Sequence, residues 1–378
     1  MKKIILIIFF LFLYFNHVIA KVEPNDVSFP KHFYIDEIRS CPYVGTAKFD
    51  TKNTLIRIKS LKTLDWMSEW AKGNSRSVNH QNLTKPMKLF AIATHNAMGE
   101  QNEDNIKIAK SILVDLAKSE FLFNTIGKKE LKRKPKCWAN GDGDSPCWYH
   151  AYEFARDSFA NLMVLAIYLK EFLDDDELTV LNAYIKKMNK KFIQPDAFNN
   201  VDKGFYAMGN GGIPNLIYAH WSDNKNLAAK EFNFRFMQIN KLFYEDGYIN
   251  NNSFRGYRGL WYHSYGLNSA LGYVYLANLW GAKVPEKILF KLTQASRILN
   301  LGISDYEKYA SRKYDGEQNN NKYKKKHARM HTHQEAIVID TLMEMVTGII
   351  LEYDAIYLQK RREKGIDDLV GFNANCIK

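Results

Sequence analysis

The chain has 378 residues, 46% hydrophobic and 25% charged, with a formal net charge of +12. This length allows a large buried core, and the basic charge suggests a polyanionic partner: nucleic acid, an anionic membrane or an acidic polysaccharide. The sequence contains no nucleic-acid-binding motif, and after residue 20 no apolar run is long enough to span a bilayer. We therefore expect neither nucleic-acid binding nor stable membrane insertion.

The first twenty residues, MKKIILIIFFLFLYFNHVIA, have the pattern of a secretory signal peptide. Two lysines precede the apolar run, and Val18 and Ala20 occupy positions −3 and −1 of a cleavage site before Lys21. The alternative is an uncleaved membrane anchor, which the small residues at the cleavage site disfavour. We expect an exported protein, periplasmic or secreted, with residues 21–378 as a single domain.

Four cysteines remain in the exported chain, and their even number permits two disulfides. Cys137 and Cys147 bracket a short loop and are the favoured pair, which would leave Cys41 to pair with Cys376. Free or buried thiols are the alternative. A zinc site made of the four cysteines is not expected, because the sequence has no C-x-x-C pair.

Helical periodicity dominates the chain and predicts an all-α fold. We predict N-caps at Asp104 and Asp176, and Pro285 in the first turn of its helix. Short strands are predicted near 33–38 and 55–58. The predicted helices are 61–72, 86–98, 104–123, 149–173, 177–191, 225–243, 262–281, 285–300 and 333–358. Successive helix hairpins joined by long aromatic loops favour an (α/α) toroid, or incomplete barrel, whose inner helices open onto a groove.

The stretch RGLWYHSY, at residues 258–265, concentrates groups that can handle protons and anions. On a helix, Arg258, Tyr262 and Tyr265 would share one face. A phenol has a reference pKa of about 10, and a guanidinium nearby lowers it. Such a pair suits removal of a proton α to a carboxylate, where cations must also stabilise the intermediate. Uronic-acid polymers carry this proton at C5 and a leaving oxygen at C4.

The order R-x-L-x-Y-H-x-Y-x-L, which runs from Arg258 to Leu267, resembles the alginate lyases of polysaccharide lyase family 5 and their relatives. In that family an arginine precedes the catalytic tyrosine by seven residues, as Arg258 precedes Tyr265. The resemblance is clearest over residues 200–281. It implies an (α/α) toroid, export, and cleavage of polymannuronate by syn elimination without a cofactor. It also implies that Tyr265 acts as base and then acid.

The same family has an Asn-Asn-His motif about fifty-five residues before its tyrosine, and this motif implies that Asn210 neutralises the substrate carboxylate. Gly211 stands where the family has its histidine. Another polyuronate, such as glucuronan, is therefore an alternative substrate to alginate. His263, His150 or His331 could supply the missing group, and we favour His263.

Other residues are candidates for substrate binding, because aromatic faces stack on sugar rings and arginine binds carboxylates. At the start of one long predicted helix, the alternative is that Arg156 pairs with Glu153 or Asp157. The candidate substrate-binding residues are Trp148, Tyr149, His150, Arg255, Tyr262 and His331.

Two stretches have partial metal-binding patterns, and we expect neither to bind a metal. NGDGDS, at residues 140–145, alternates oxygen ligands but lacks the glycine and glutamate of a calcium loop. His331 and Glu335 are four residues apart, with His333 between them, and would need another ligand to bind zinc.

We therefore predict a polyuronate lyase with an anionic polysaccharide as its partner. One alternative is a toroid glycoside hydrolase, which needs two carboxylates across a cleft; Asp142 or Asp144 with Asp246 are the candidates. The other is a non-catalytic periplasmic protein that binds polyanions.

Overall fold

The described part of the molecule is helical. Its two β-bridges, His32 to Ile35 and Phe243 to Ile249, are both isolated, and no ladder of strands forms within these residues. This confirms the all-α prediction. The computed structural model describes residues 21–39, 49–59, 85–133, 148–195, 197–198, 212–312 and 336–352. The predicted signal peptide, all four cysteines and the two partial metal-binding patterns lie outside these ranges.

The helices are numbered here in chain order. They are α1 (Thr51–Ile58), α2 (Lys85–Gly99), α3 (Glu103–Lys118), α4 (Lys128–Leu131), α5 (Trp148–Leu169), α6 (Asp175–Met188), α7 (Gly212–Trp221), α8 (Lys225–Leu242), α9 (Gly259–Leu279), α10 (Glu286–Ser304), α11 (Tyr306–Ser311) and α12 (Ala336–Thr347). A π-helical turn, Asn189–Ile193, continues α6. None of the described helices is long and apolar enough to cross a bilayer.

The predicted N-caps of two helices are wrong by two residues each. Asn102, rather than Asp104, caps α3 by accepting a hydrogen bond from the Asn105 amide. Asp174, rather than Asp176, caps α6, and Glu177 returns a bond to the Asp174 amide at 3.1 Å. Each cap uses the residue whose oxygen reaches the third helical amide, which is the requirement for capping.

Three other predictions also need correction. The strand predicted at 55–58 is the last turn of α1, and the strand at 33–38 is reduced to one isolated bridge. The last helix ends at Thr347 rather than at residue 358, because Gly348 has a φ of +69° and its amide bonds back to Glu344. The helix predicted at 61–72 lies outside the described residues.

The helices differ sharply in how much of their surface is buried. In α9, 15 of 21 residues are buried, whereas α6 buries only 4 of 14. A helix that is buried almost all round lies inside a protein, and one with a single buried stripe covers it. Helices α2, α5, α7 and α9 therefore form an inner layer, and α3, α6, α8 and α10 cover it.

Each inner helix contacts the covering helix that follows it in sequence. Along the inner layer, α2 contacts α5, α5 contacts α7, and α9 contacts α12; along the outer layer, α3 contacts α6 and α8 contacts α10. Ile213, at the start of α7, lies beside Gly272 of α9, and His220 near its end lies 5.9 Å from the Trp280 ring. Helices α7 and α9 therefore run parallel.

The segment at residues 22–35 lies across the C-terminal ends of the inner helices. His220 Nε2, Trp280 Nε1 and the Tyr275 hydroxyl each donate to a backbone carbonyl of this segment, at 2.6, 3.2 and 2.8 Å. The Lys170 ammonium, just after α5, bonds the carbonyl at the end of α7 at 3.3 Å. The ends of α5, α7 and α9 are thus gathered together. The starts of α5 and α9 lie toward the opposite end of the layer, whereas the shorter α7 starts beside Gly272, midway along α9.

A buried polar network joins α7, α8 and α9. Arg235 donates to Glu231 at 2.6 Å and to Gln238 at 2.7 Å, and Asn215 donates to the other Glu231 oxygen at 2.9 Å. The Arg235 guanidinium lies 5.3 Å from the centre of the Tyr273 ring. Glu231 and Arg235 are 0% and 1% exposed. If one of the two charges were removed, water could not reach the other to solvate it.

We expect Glu231→Leu to lower the free energy of unfolding by about 3–5 kcal/mol, because it leaves the Arg235 charge buried and uncompensated. The matched control is Glu103→Leu, which breaks an equally spaced i, i+4 pair with Lys107 whose side chains are 84% and 69% exposed. The control should change stability by no more than about 0.5 kcal/mol. Denaturant unfolding followed by circular dichroism measures both, and equal losses would contradict the importance of burial.

Candidate active site

The loop at residues 249–258 folds back onto the first turns of α9. The Ser253 carbonyl lies so close to Gly259 that no side chain fits there, which explains the glycine at this helix start. The Asn252 amide donates to the Tyr262 carbonyl at 2.7 Å. The loop is therefore fixed against the helix, and it presents Arg255 and Arg258 beside it.

Two arginines and two aromatic rings interleave at this helix start. The guanidinium carbon of Arg255 lies 4.3 Å from the Tyr262 ring centre, and that of Arg258 lies 5.4 Å from the Trp261 ring centre. The Trp261 and Tyr262 rings are 4.7 Å apart. All four side chains are half-buried. Stacking of this kind holds the plane of a guanidinium in one orientation.

Tyr265 lies on the same side of α9 as this array. Its ring centre is 6.4 Å from that of Trp261, and its side chain is half-buried. At about 100° per residue, Trp261 and Asn268 fall within about 60° of Tyr265 on α9. Arg258 ends the 3-10 turn that precedes α9, and it joins this side of the helix through its contact with the Trp261 ring. That Arg258, Tyr262 and Tyr265 share one face stays a prediction, because the contacts connect these three residues through Trp261. We call this side of the helix the α9 face.

Asn268 is a residue of the α9 face that the sequence analysis did not identify. It is 5% exposed, and its Oδ1 atom has no hydrogen-bond partner among the described residues. A buried amide oxygen without a donor is costly and unusual. Asn268 lies one turn beyond Tyr265, so an unsatisfied acceptor adjoins this tyrosine along the helix.

His263 does not belong to the α9 face. It is fully buried, its Nε2 donates to the Ala295 carbonyl at 2.9 Å, and its Nδ1 accepts from the Ser253 hydroxyl at 2.8 Å. Burial lowers the pKa of His263 to about 4, so the ring is neutral. The prediction that His263 neutralises a substrate carboxylate does not hold. His263 is two residues before Tyr265, which places it roughly 160° around the helix from that side chain.

The other predicted residues divide between those described and those not. Trp148 is half-buried at the start of α5 and packs against the core. Tyr149 and His150 belong to the first turn of α5, and their side chains lie outside the description. Asn210 and His331 also lie outside the described residues, so their roles stay predictions.

Two carboxylates near the predicted sites are already paired. Asp157 accepts from Arg156, which is 2% exposed and also lies 5.4 Å from the Tyr152 ring centre. The pairing alternative for Arg156 is therefore confirmed. Asp246 accepts from Arg312 at 2.8 Å. Its proposed partners in a hydrolase, Asp142 and Asp144, lie outside the described residues.

Away from the α9 face, the described residues form a cleft. This open cleft, of about 510 Å³, lies between the end of α10 and residues 348–352. In this cleft the Asn300 side chain donates to the Ile350 carbonyl and accepts from the Glu352 backbone amide. Both of its polar atoms therefore hold residues 350–352 against α10. Within the described ranges, no group of three His, Cys, Asp or Glu side chains could hold a metal ion.

Comparison of the chain with protein-family models, with curated proteins and with solved structures finds no match. The residues of the α9 face therefore carry the functional interpretation.

We expect His263→Asn to flatten the dependence of stability on pH. The unfolded histidine titrates near 6.5 and the folded one near 4, so the unfolded chain gains a proton first and stability is lost as pH falls between these values. Removing this group should recover roughly 3 kcal/mol of that pH-dependent loss. Denaturant unfolding at a series of pH values measures the slope, with the parent as control.

Any turnover that the parent shows should persist in folded His263→Asn. If His263→Asn left the dependence of stability on pH unchanged but abolished turnover, a purely structural role for this histidine would be contradicted. His263 would then again be a candidate for substrate binding.

Proposed function

We propose that this protein is an exported polysaccharide lyase that cleaves a uronic-acid polymer by β-elimination. Alginate, as polymannuronate, is the first candidate substrate, and glucuronan or another polyuronate is the alternative. The observation that carries the proposal is the α9 face, where the Trp261 ring connects Arg258 with Tyr265. No cofactor is required by this chemistry.

The proposal includes an (α/α) toroid of helix hairpins. Its support is the order of contacts, in which inner helices neighbour inner helices and covering helices neighbour covering helices. The parallel course of α7 and α9 also fits this architecture. In a toroid the starts of the inner helices open onto one groove, and the α9 face lies at such a start.

In the proposed reaction, Tyr265 as a phenolate removes the proton at C5 of a uronate. The electron pair of the broken C–H bond forms the C4–C5 double bond while the C4–O bond breaks. The leaving oxygen then takes the proton from the Tyr265 hydroxyl, so no water or redox partner enters. One group thus serves as base and then as acid.

Cations beside the reacting sugar would stabilise the charge that builds on its carboxylate. Arg258 is the nearest to Tyr265 in the helical register, and Arg255, stacked on Tyr262, is placed for a neighbouring carboxylate. Asn210, in the segment that precedes α7, remains the proposed neutralising amide. In place of His263, we assign Asn268 to the substrate, with its Oδ1 atom accepting from a sugar hydroxyl.

We expect the protein to produce an unsaturated uronate, seen as a rise in ultraviolet absorbance, on polymannuronate, polyguluronate or glucuronan. Tyr265→Phe should lower turnover by about 10²–10⁴-fold, the usual contribution of a general acid–base group. Tyr218→Phe, which changes a half-buried tyrosine near the end of α7, is the control and should turn over like the parent.

Binding of the polymer, measured by titration, separates the alternatives. If Tyr265→Phe binds as the parent does but has lost its turnover, the catalytic role stands. If the folded parent binds a polyuronate and never produces an absorbance rise, the protein is a polyanion-binding protein and the lyase proposal fails.

We expect Asn268→Asp to raise KM for the cleaved polymer about tenfold or more, because it adds a negative charge facing an anionic sugar. The control is Asn240→Asp, which changes a half-buried amide of α8 whose buried oxygen also has no described partner. Both variants should lose stability from the buried charge. Only Asn268→Asp should change KM, and equal kinetics in the two folded variants would remove Asn268 from the site.

A further inference from the structure

Two short stretches of the chain carry the same pattern of positive charge. KKELKR occupies residues 128–133 and KKMNKK occupies residues 186–191, so each has two cations, a gap of two residues, and two more cations. On a helix, positions i, i+1, i+4 and i+5 form a double row on one side. The first stretch forms α4 and the turn after it; the second forms the end of α6 and its π-helical turn.

The fold brings the two stretches together. The ammonium groups of Lys187 and Lys191 lie 3.7 and 4.7 Å from the centre of the Phe123 ring, just before α4. A β-carbon on Gly127, the residue before α4, would be 3.0 Å from the Lys191 side chain. We call the combined surface of residues 128–133 and 186–191 the paired-lysine surface.

Positive charge on this surface exceeds the negative charge nearby. Its eight lysines and arginines face Glu130, inside the first stretch, and Glu120, which bonds Lys187 at 2.7 Å. Burial lowers the pKa of Lys191; Glu130 opposes this, and the Lys187 ammonium adds to it. Like charges are thus crowded, and a bound anion would relieve their repulsion.

The paired-lysine surface adjoins the start of α5. The Lys128 ammonium lies 5.1 Å from the centre of the Tyr152 ring, one turn into that helix. The starts of α5 and α9 lie opposite the segment at residues 22–35, so the surface is at the same end of the layer as the α9 face. A long polymer leaving the α9 face could therefore continue over it.

We propose that the paired-lysine surface is a second binding site for the anionic polysaccharide, separate from the α9 face. This second site retains the polymer between cleavage events. The identity of the polymer rests on the proposed function; the binding of a polycarboxylate does not. Closely spaced lysines act as mobile point charges, and these suit a repeating row of carboxylates without requiring a fixed register.

The surface is less suited to single-stranded nucleic acid. Proteins that bind such strands stack bases on exposed aromatic rings. Here the Phe123 ring is covered by two ammonium groups and the Tyr152 ring is buried, so neither is open to a base.

The test reverses four exposed charges of the surface, Lys129, Lys132, Lys186 and Lys190, to glutamate in a Tyr265→Phe background. Binding of labelled polymannuronate and glucuronan is then measured over a series of salt concentrations without cleavage. We expect the affinity at low salt to fall by about tenfold or more, and its dependence on salt to become shallower, because fewer ion contacts remain.

The matched control reverses four exposed lysines elsewhere, Lys52, Lys225, Lys283 and Lys308, so that the net charge is the same. An equal loss in the control would show that overall charge acts and would overturn the inference. So would unchanged binding in the surface variant, or tighter binding of single-stranded DNA than of polyuronate through the same four lysines.

The two proposals fail separately. In the parent background, the surface variant should cleave short oligouronates like the parent and long polymer more slowly at low concentration. Turnover by the parent with no loss of polymer binding in the surface variant would overturn the second site alone. Loss of binding in the surface variant, with no turnover by the parent on any polymer, would overturn the lyase proposal alone.

Discussion

The buried Glu231–Arg235 pair is the interaction on which the geometry of the proposed site depends. Burying two charges is expensive unless each finds a complete set of partners. Here Asn215 comes from α7 and the Tyr273 ring from α9, so the partners belong to the helices on both sides. The pair therefore favours one arrangement of these three helices, which brings the start of α7 beside Gly272, one turn beyond Asn268.

The two ends of the inner helices differ in which residues they carry. At one end, the segment at residues 22–35 satisfies Trp280, Tyr275 and His220 and closes the layer. At the start of α9, half-buried aromatic rings of the helix lie beside two arginines of a loop that is held against it by Asn252 and Ser253.

Helical periodicity was enough to predict α5, α6, α8, α9 and α10, because each has a long apolar pattern with clear limits. Helix α7 was not predicted at all, because Gly212, Ile213 and Pro214 have the composition of a turn and become helical through burial. Helical geometry predicted a shared face for Arg258 and Tyr265, and the same geometry applied to His263 would have excluded it. The Glu231–Arg235 spacing is that of an ordinary surface pair, and only tertiary packing makes it a buried one.

Two tyrosines of helix α9, Tyr265 and Tyr273, contrast in their surroundings, and the contrast bears on which of them we propose as a base. Tyr273 is buried beside Arg235, yet burial raises its pKa to about 12 despite the neighbouring cation. A positive charge alone therefore does not make a tyrosine a base, since desolvation of the phenolate outweighs it. A working phenolate needs a cation together with access to solvent or substrate. This is why we propose the half-buried Tyr265, and not the fully buried Tyr273 beside Arg235, as the base.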